Sequence, residues 1–160
     1  MEIALSRIVS GGQTGADRAA LDWAIAHGVA HGGWCPRGRK AEDGAIDTGY
    51  RLRETPSDDY AQRTEWNVRD SDATVVFSMA AELTGGSKET VEFARKLGKP
   101  CLHLSAQTTG ERPAERLREF LCQHGIKVLN VAGPRRSQEP AVCAFVAETL
   151  TKALSRHAER

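Results

Sequence analysis

The chain has 160 residues, enough to bury a core in one domain spanning 1–160 without disulfides or metal. Its 22 Lys and Arg against 21 Asp and Glu leave a formal net charge of +1, which argues against bulk electrostatic binding of nucleic acid or a membrane surface. No apolar run approaches the roughly 20 residues a membrane-spanning helix needs. The N-terminus lacks the charged and apolar regions of a signal peptide, so a cytoplasmic location is expected.

The elements alternate between strand and helix patterns. A strand is expected over residues 7–10. The glycine-rich turn Ser10-Gly11-Gly12-Gln13-Thr14-Gly15-Ala16-Asp17 follows it and opens a helix over 15–27. Thr14 suits its N-cap, with Asp17 three residues on, and Gly28 ends it. A short strand over 30–34 leads into residues 35–57, which show little periodicity and are long for a loop, as lids and binding loops are. A helix is expected over 58–70 and an apolar strand over 73–78. A second glycine turn, Leu83-Thr84-Gly85-Gly86-Ser87-Lys88-Glu89-Thr90, opens a helix over 87–97 that turns Thr90, Val91, Ala94 and Leu97 to the core. Strands over 100–104 and 127–131 flank a helix over 112–124. A last helix begins near Glu139 with an apolar stripe from Val142 to Leu154, and residues 155–160 are expected to fray.

This alternation predicts an α/β fold: a Rossmann-like, doubly wound, mostly parallel sheet with helices on both faces. Right-handed crossovers put the C-terminal ends of the strands on one edge, where such sheets bind ligands. A flavodoxin-like order would set the strands ending at Ser10 and Ser78 side by side, so that both glycine turns face one crevice. Helix starts offer unpaired N–H groups and partial positive charge, a ready-made anion site. Two of them suggest a small ligand with more than one anionic group.

Candidate contacts follow from placement on that edge. In the first turn Gln13 and Thr14 can donate to an oxyanion, and Asp17 either supports the helix start or accepts from a ligand hydroxyl or amine. The turn fits neither G-x-G-x-x-G nor a P-loop. The second brings two hydroxyls and two glycines to a helix start, with Lys88 behind them. Arg37, Arg39 and Lys40 put three cations within four residues, and Arg suits a bidentate grip on a tetrahedral anion. Arg135 and Arg136 follow the strand over 127–131 and so fall near the binding edge, or are equally well read as solvated surface. Arg63, Thr64 and Asn67 read as one exposed polar helix face. His103 reads as a buried strand residue. The four cysteines lack metal-ligand spacing, so no metal site is expected. Glu89 reads as helix-dipole complementarity, while Glu92 could do acid–base work in the crevice or be a surface charge.

The strings S-G-G-Q-T-G-A-D-R-A-A-L-D-W-A, G-G-W-C-P-R-G-R-K-A-E-D-G, Y-A-Q-R-T-E-W-N-V-R-D-S-D-A-T-V-V-F-S and L-T-G-G-S-K-E-T resemble the molybdenum cofactor carrier family over residues 7–105. That resemblance implies a Rossmann-like fold and a homo-oligomer, a tetramer by analogy. The cargo it implies is molybdenum cofactor, a pterin with a phosphate and a dithiolene-held molybdenum oxo group, anionic at both ends. Molybdenum enzymes or cofactor-synthesis proteins are the implied partners. Binding is carried onto Gly11, Gly12, Gln13, Thr14 and Gly15, onto Arg37, Arg39 and Lys40, and onto Thr84, Gly85, Gly86 and Ser87. The wider group includes nucleotide 5'-monophosphate phosphoribohydrolases with the signature P-G-G-x-G-T-x-x-E. Glu92 matches the glutamate of that signature, but Thr84, Lys88 and Glu89 replace the proline and the Gly-Thr pair. A carrier that does no chemistry is therefore the leading expectation. A phosphoribohydrolase-like enzyme or a nucleotide sensor is the alternative.

Overall fold

The computed structural model describes residues 2–108 and 112–158, with side chains in the last helix through Leu154. Strand β1 (Arg7–Val9) leads through the first glycine turn into helix α1 (Ala16–Ala26). Strand β2 (Ala30–Gly32) follows, then four two-residue strands: β3 (Trp34–Cys35), β4 (Lys40–Ala41), β5 (Gly44–Ala45) and β6 (Arg53–Glu54). The rest is α2 (Tyr60–Arg69), β7 (Ala73–Ser78), α3 (Gly85–Lys96), β8 (Cys101–Ser105), α4 (Pro113–His124), β9 (Val128–Ala132) and α5 (Val142–Ala158). The rest of the tail expected to fray lies outside the described residues. No described helix is long and apolar enough to cross a membrane.

The main sheet is parallel and runs β2-β1-β9-β7-β8. The expected α/β Rossmann-like architecture is present, but one detail of order differs. The strands ending at Ser10 and Ser78 are not neighbours; β9 lies between them, pairing Ile8 with Leu129 on one side and Val75 with Val131 on the other. Asp72 fixes its entry, accepting from the N–H groups of Lys127 and Val128 at 3.0 and 2.8 Å.

All six residues of β7 are buried, as expected of a strand covered on both faces. Ala73, Val75 and Phe77 join the main core with α1, α4 and α5, including Ala20, Leu117, Leu121, Val146 and Leu150. Helices α2 and α3 pack on each other over the opposite face. Leu97, expected to face the core, is 40% exposed, because α3 ends at Lys96 and Leu97 is only its C-cap.

Local boundaries carry further corrections. The N-cap of α1 is Gly15, with φ of 86°, and not Thr14. A side chain at 15 would collide with the Pro134 carbonyl, so the turn and the β9 loop touch backbone to backbone there. The strand expected over 30–34 breaks at Gly33, with φ of 127°, and the chain leaves the main sheet. Residues 35–57 then form a small satellite. β3 pairs with β6 in parallel, β4 with β5 antiparallel, and Cys35, Ala41 and Ile46 make a separate apolar cluster. Two-residue strands carry too little periodicity to read from sequence.

Candidate functional site

The C-terminal end of β9 and the glycine turns that follow β1 and β7 enclose a cleft of about 90 Å³. By that measure each water takes roughly 10–15 Å³, so the cleft holds a tetrahedral oxyanion with a few waters. Gly11, Gln13 and Asp17 line it from the first turn and α1, and Gly86, Ser87 and Thr90 from the second turn and α3. Arg63, Thr64 and Asn67 enter from α2. Asn130 and the loop Gly133-Pro134-Arg135 complete the wall from β9. The two glycine turns thus share one cleft, with β9 between their strands supplying its floor.

The two turns differ in what they offer. In the first, most amides are already used. Gln13 N–H donates to Asp17 Oδ2 at 3.3 Å, Thr14 N–H to Gln13 Oε1 at 3.1 Å, and Ala16 N–H to the Pro134 carbonyl at 3.2 Å. What this turn presents is a side chain. Gln13 is 5% exposed, and its Oε1 also accepts from Glu42 N–H at 2.9 Å. With Oε1 taken twice, the amide orientation is fixed and Nε2 is left as donor. It is buried without a partner among the described residues. A buried donor left unpaired costs about 1–3 kcal/mol, and a ligand acceptor in the cleft would recover that.

The second turn presents backbone. Thr84 is the N-cap of α3 but makes no side-chain cap, and the helix's hydrogen bonding begins with Lys88 N–H donating to the Thr84 carbonyl at 3.4 Å. The amides of Gly85, Gly86 and Ser87 have no partner among the described residues. They stand at the positive end of a 12-residue helix. A Cβ at Gly86 would meet nothing within 4 Å, so the space before this helix start is open.

Charge arrives first from α2, whose polar residues read from sequence as one exposed face. Arg63 is 8% exposed and not on an exposed face. Its Nη1 lies 3.2 Å from Asp17 Oδ2, and it packs so closely on Gly11 that no side chain fits there. Burial pushes the Asp17 carboxyl up, with the Arg63 guanidinium pulling it back. Arg63 and Arg135 flank the Tyr60 ring, with guanidinium carbons 5.1 and 5.3 Å from its centroid, and Lys40 Nζ stands 4.8 Å from the same ring. Three cations therefore gather on one aromatic ring beside the cleft.

Other expected contacts sit elsewhere. Arg39 donates to the carbonyls of Ile46, Asp47, Tyr50 and Leu52, holding residues 46–52 in shape. Arg37 is exposed outside the cleft lining, as is Arg136, whose N–H donates to Thr14 Oγ1 at 3.1 Å. Thr14 Oγ1 also bonds Glu42, which binds Ser137 through Oγ at 2.5 Å. Gly12, Gly15, Thr84 and Gly85 frame the turns without lining the cleft, and Lys40 reaches it only through Tyr60. Glu92 is exposed on α3 and outside the cleft. Glu139 accepts from the N–H groups of Met79 and Ala80 at 2.7 and 3.2 Å, pinning the loop that leads to the second turn.

Comparison with known proteins bears on this arrangement. Residues 8–154 match the model of the circularly permutated YpsA SLOG family. The chain belongs to that family. No curated protein sequence matches it. Among solved structures it is similar to one named "Putative molybdenum carrier protein" from Syntrophus aciditrophicus SB, at 44% identity and a TM-score of 0.93, covering 96% of this chain and 98% of that one. Membership accords with the strand order, in which β9, late in the chain, completes the middle of a sheet begun by β1.

Proposed function

We propose that the cleft binds the oxyanion end of molybdenum cofactor, or of a related phosphorylated ligand, and that the protein carries this cargo without transforming it. The observation that carries the reading is the buried, unpartnered Nε2 of Gln13. Gln13 lines the cleft together with Gly86 and Ser87 of the α3 start. Arg63 and Arg135 supply positive charge, and the name of the solved relative points to a molybdenum-bearing cargo. The binding contacts in this reading are Gln13, Gly86, Ser87, Arg63 and Arg135, with Gly11, Gly12, Gly15, Thr84 and Gly85 shaping the turns around them. In this reading the rest of the cargo extends past Tyr60 and Lys40, beside the cleft. Delivery to molybdenum enzymes by a cytoplasmic homo-oligomer belongs to the same proposal.

The phosphoribohydrolase alternative asks for a carboxylate at the scissile bond. Its matched residue, Glu92, stands outside the cleft, so geometry favours the carrier. The test is co-elution of molybdenum cofactor with the protein on gel filtration. Wild type should retain it and Gly86→Asp should not. Failure of the wild type to retain cofactor, or release of free base from AMP, overturns the carrier reading.

A further inference from the structure

The cleft is not built of donors alone. Asp17 lines it at 6% exposure and uses a single oxygen, Oδ2, for both of its bonds, from Gln13 N–H and Arg63 Nη1. Its other oxygen, Oδ1, takes no hydrogen bond among the described residues. The Ser10 hydroxyl lies beside this carboxyl but donates to the Val131 carbonyl at 2.7 Å. Among the residues that share the lining, Gln13 Nε2, the amides of Gly86 and Ser87, and the guanidinium of Arg135 can only donate.

A bare dianion placed among those donors would face the Asp17 carboxylate with little water between them, and repulsion is strong where the dielectric is low. A ligand that carries an O–H beside its anionic oxygens turns the same neighbour into the acceptor of a charge-assisted hydrogen bond. If Asp17 served only as counter-ion to Arg63, the site would be indifferent to that proton. From the free Oδ1 within the cleft we infer that the site selects a proton-bearing phosphate over a fully deprotonated oxyanion, with Asp17 as the group that reads the proton. This rests on the reading of the cleft as an oxyanion site.

Titration calorimetry of the full chain at pH 7 and fixed ionic strength, with inorganic phosphate, sulfate and molybdate as probes, tests this. All three are tetrahedral, but only phosphate carries a proton at that pH. Phosphate should bind about tenfold or more tightly than the other two, the fold-change a hydrogen bond to a charged group provides. In Asp17→Asn the preference should fall to within about threefold, with sulfate gaining, since the amide can donate and the charge is gone. Equal affinities in wild type, or an undiminished preference in a folded Asp17→Asn protein, overturn the inference while leaving the oxyanion site standing. Absence of binding by all three anions removes the site itself. The wild-type comparison needs no variant, so the test survives if loss of the Arg63 partner unfolds Asp17→Asn.

Discussion

Gln13 shows how far a single residue can be read. A glutamine in a glycine turn after a strand reads as a candidate donor, and in the fold its Nε2 is left without a partner among the described residues. Its buried depth was not legible, because it depends on Glu42, 29 residues away, taking up Oε1. Gln13→Glu keeps the acceptor and replaces the donor by negative charge. It should lower phosphate affinity at least tenfold in calorimetry, with some loss of melting temperature from the buried charge. Arg39 shows the opposite outcome. Three clustered cations suggested an anion grip, yet the Arg39 fork spans four carbonyls that only the folded loop assembles. Arg39→Lys cannot span them. It should cost about 2 kcal/mol in urea unfolding and open residues 42–52 to limited proteolysis, with anion affinity little changed. His103 carries a pH signature. Burial, followed by the nearby Arg116, holds its imidazole below the ordinary value of about 6.5, and His31 is lowered in the same way. Their contribution to stability is therefore full above about pH 6.5 and is lost as pH falls through their folded values. Asp17, raised by burial, runs the other way, favouring the fold at acid pH. Calorimetric melting between pH 7.5 and 5 should show the midpoint falling, with a shallower fall in His103→Gln.

At the scale of elements, the two turns look alike in sequence and work differently. Both were legible as glycine-rich strand-to-helix junctions. Neither pattern could tell that Pro134 and Asp17 quench the amides of one while those of the other stay open, since those partners come from tertiary contact. Substitutions should separate the two roles. Gly86 has ordinary φ and open space, so Gly86→Ala should be neutral or stabilising by up to about 1 kcal/mol. Gly86→Asp should leave the melting temperature within a few degrees and abolish phosphate binding. Gly15→Ala meets both a left-handed backbone and the Pro134 carbonyl, and should destabilise by roughly 3 kcal/mol in urea unfolding. The polar residues of α2 were read as a solvated face because hydrophobic periodicity counts a buried Arg–Asp pair as surface. The helix buries Arg63 against Gly11 instead.

For the whole molecule, βα alternation was enough to predict a parallel sheet covered on both faces, and the single binding edge follows from handedness. Strand order was not in the local pattern, because nothing in Val128–Ala132 distinguishes a central strand from an edge one. That placement puts Asn130, Gly133 and Arg135 in the cleft. A Gly-Pro pair directly after an apolar strand was the available signal for it. The insertion of β9 between β1 and β7 also has a temporal side. As the polypeptide leaves the ribosome, β1 with β2 and β7 with β8 can pair early, but the two halves have no shared seam until Val128–Ala132 has been synthesised. Nascent chains stalled before residue 128 would expose two unzipped sheet borders to chaperones, and would have no competence to hold cargo until the closing strand slides home.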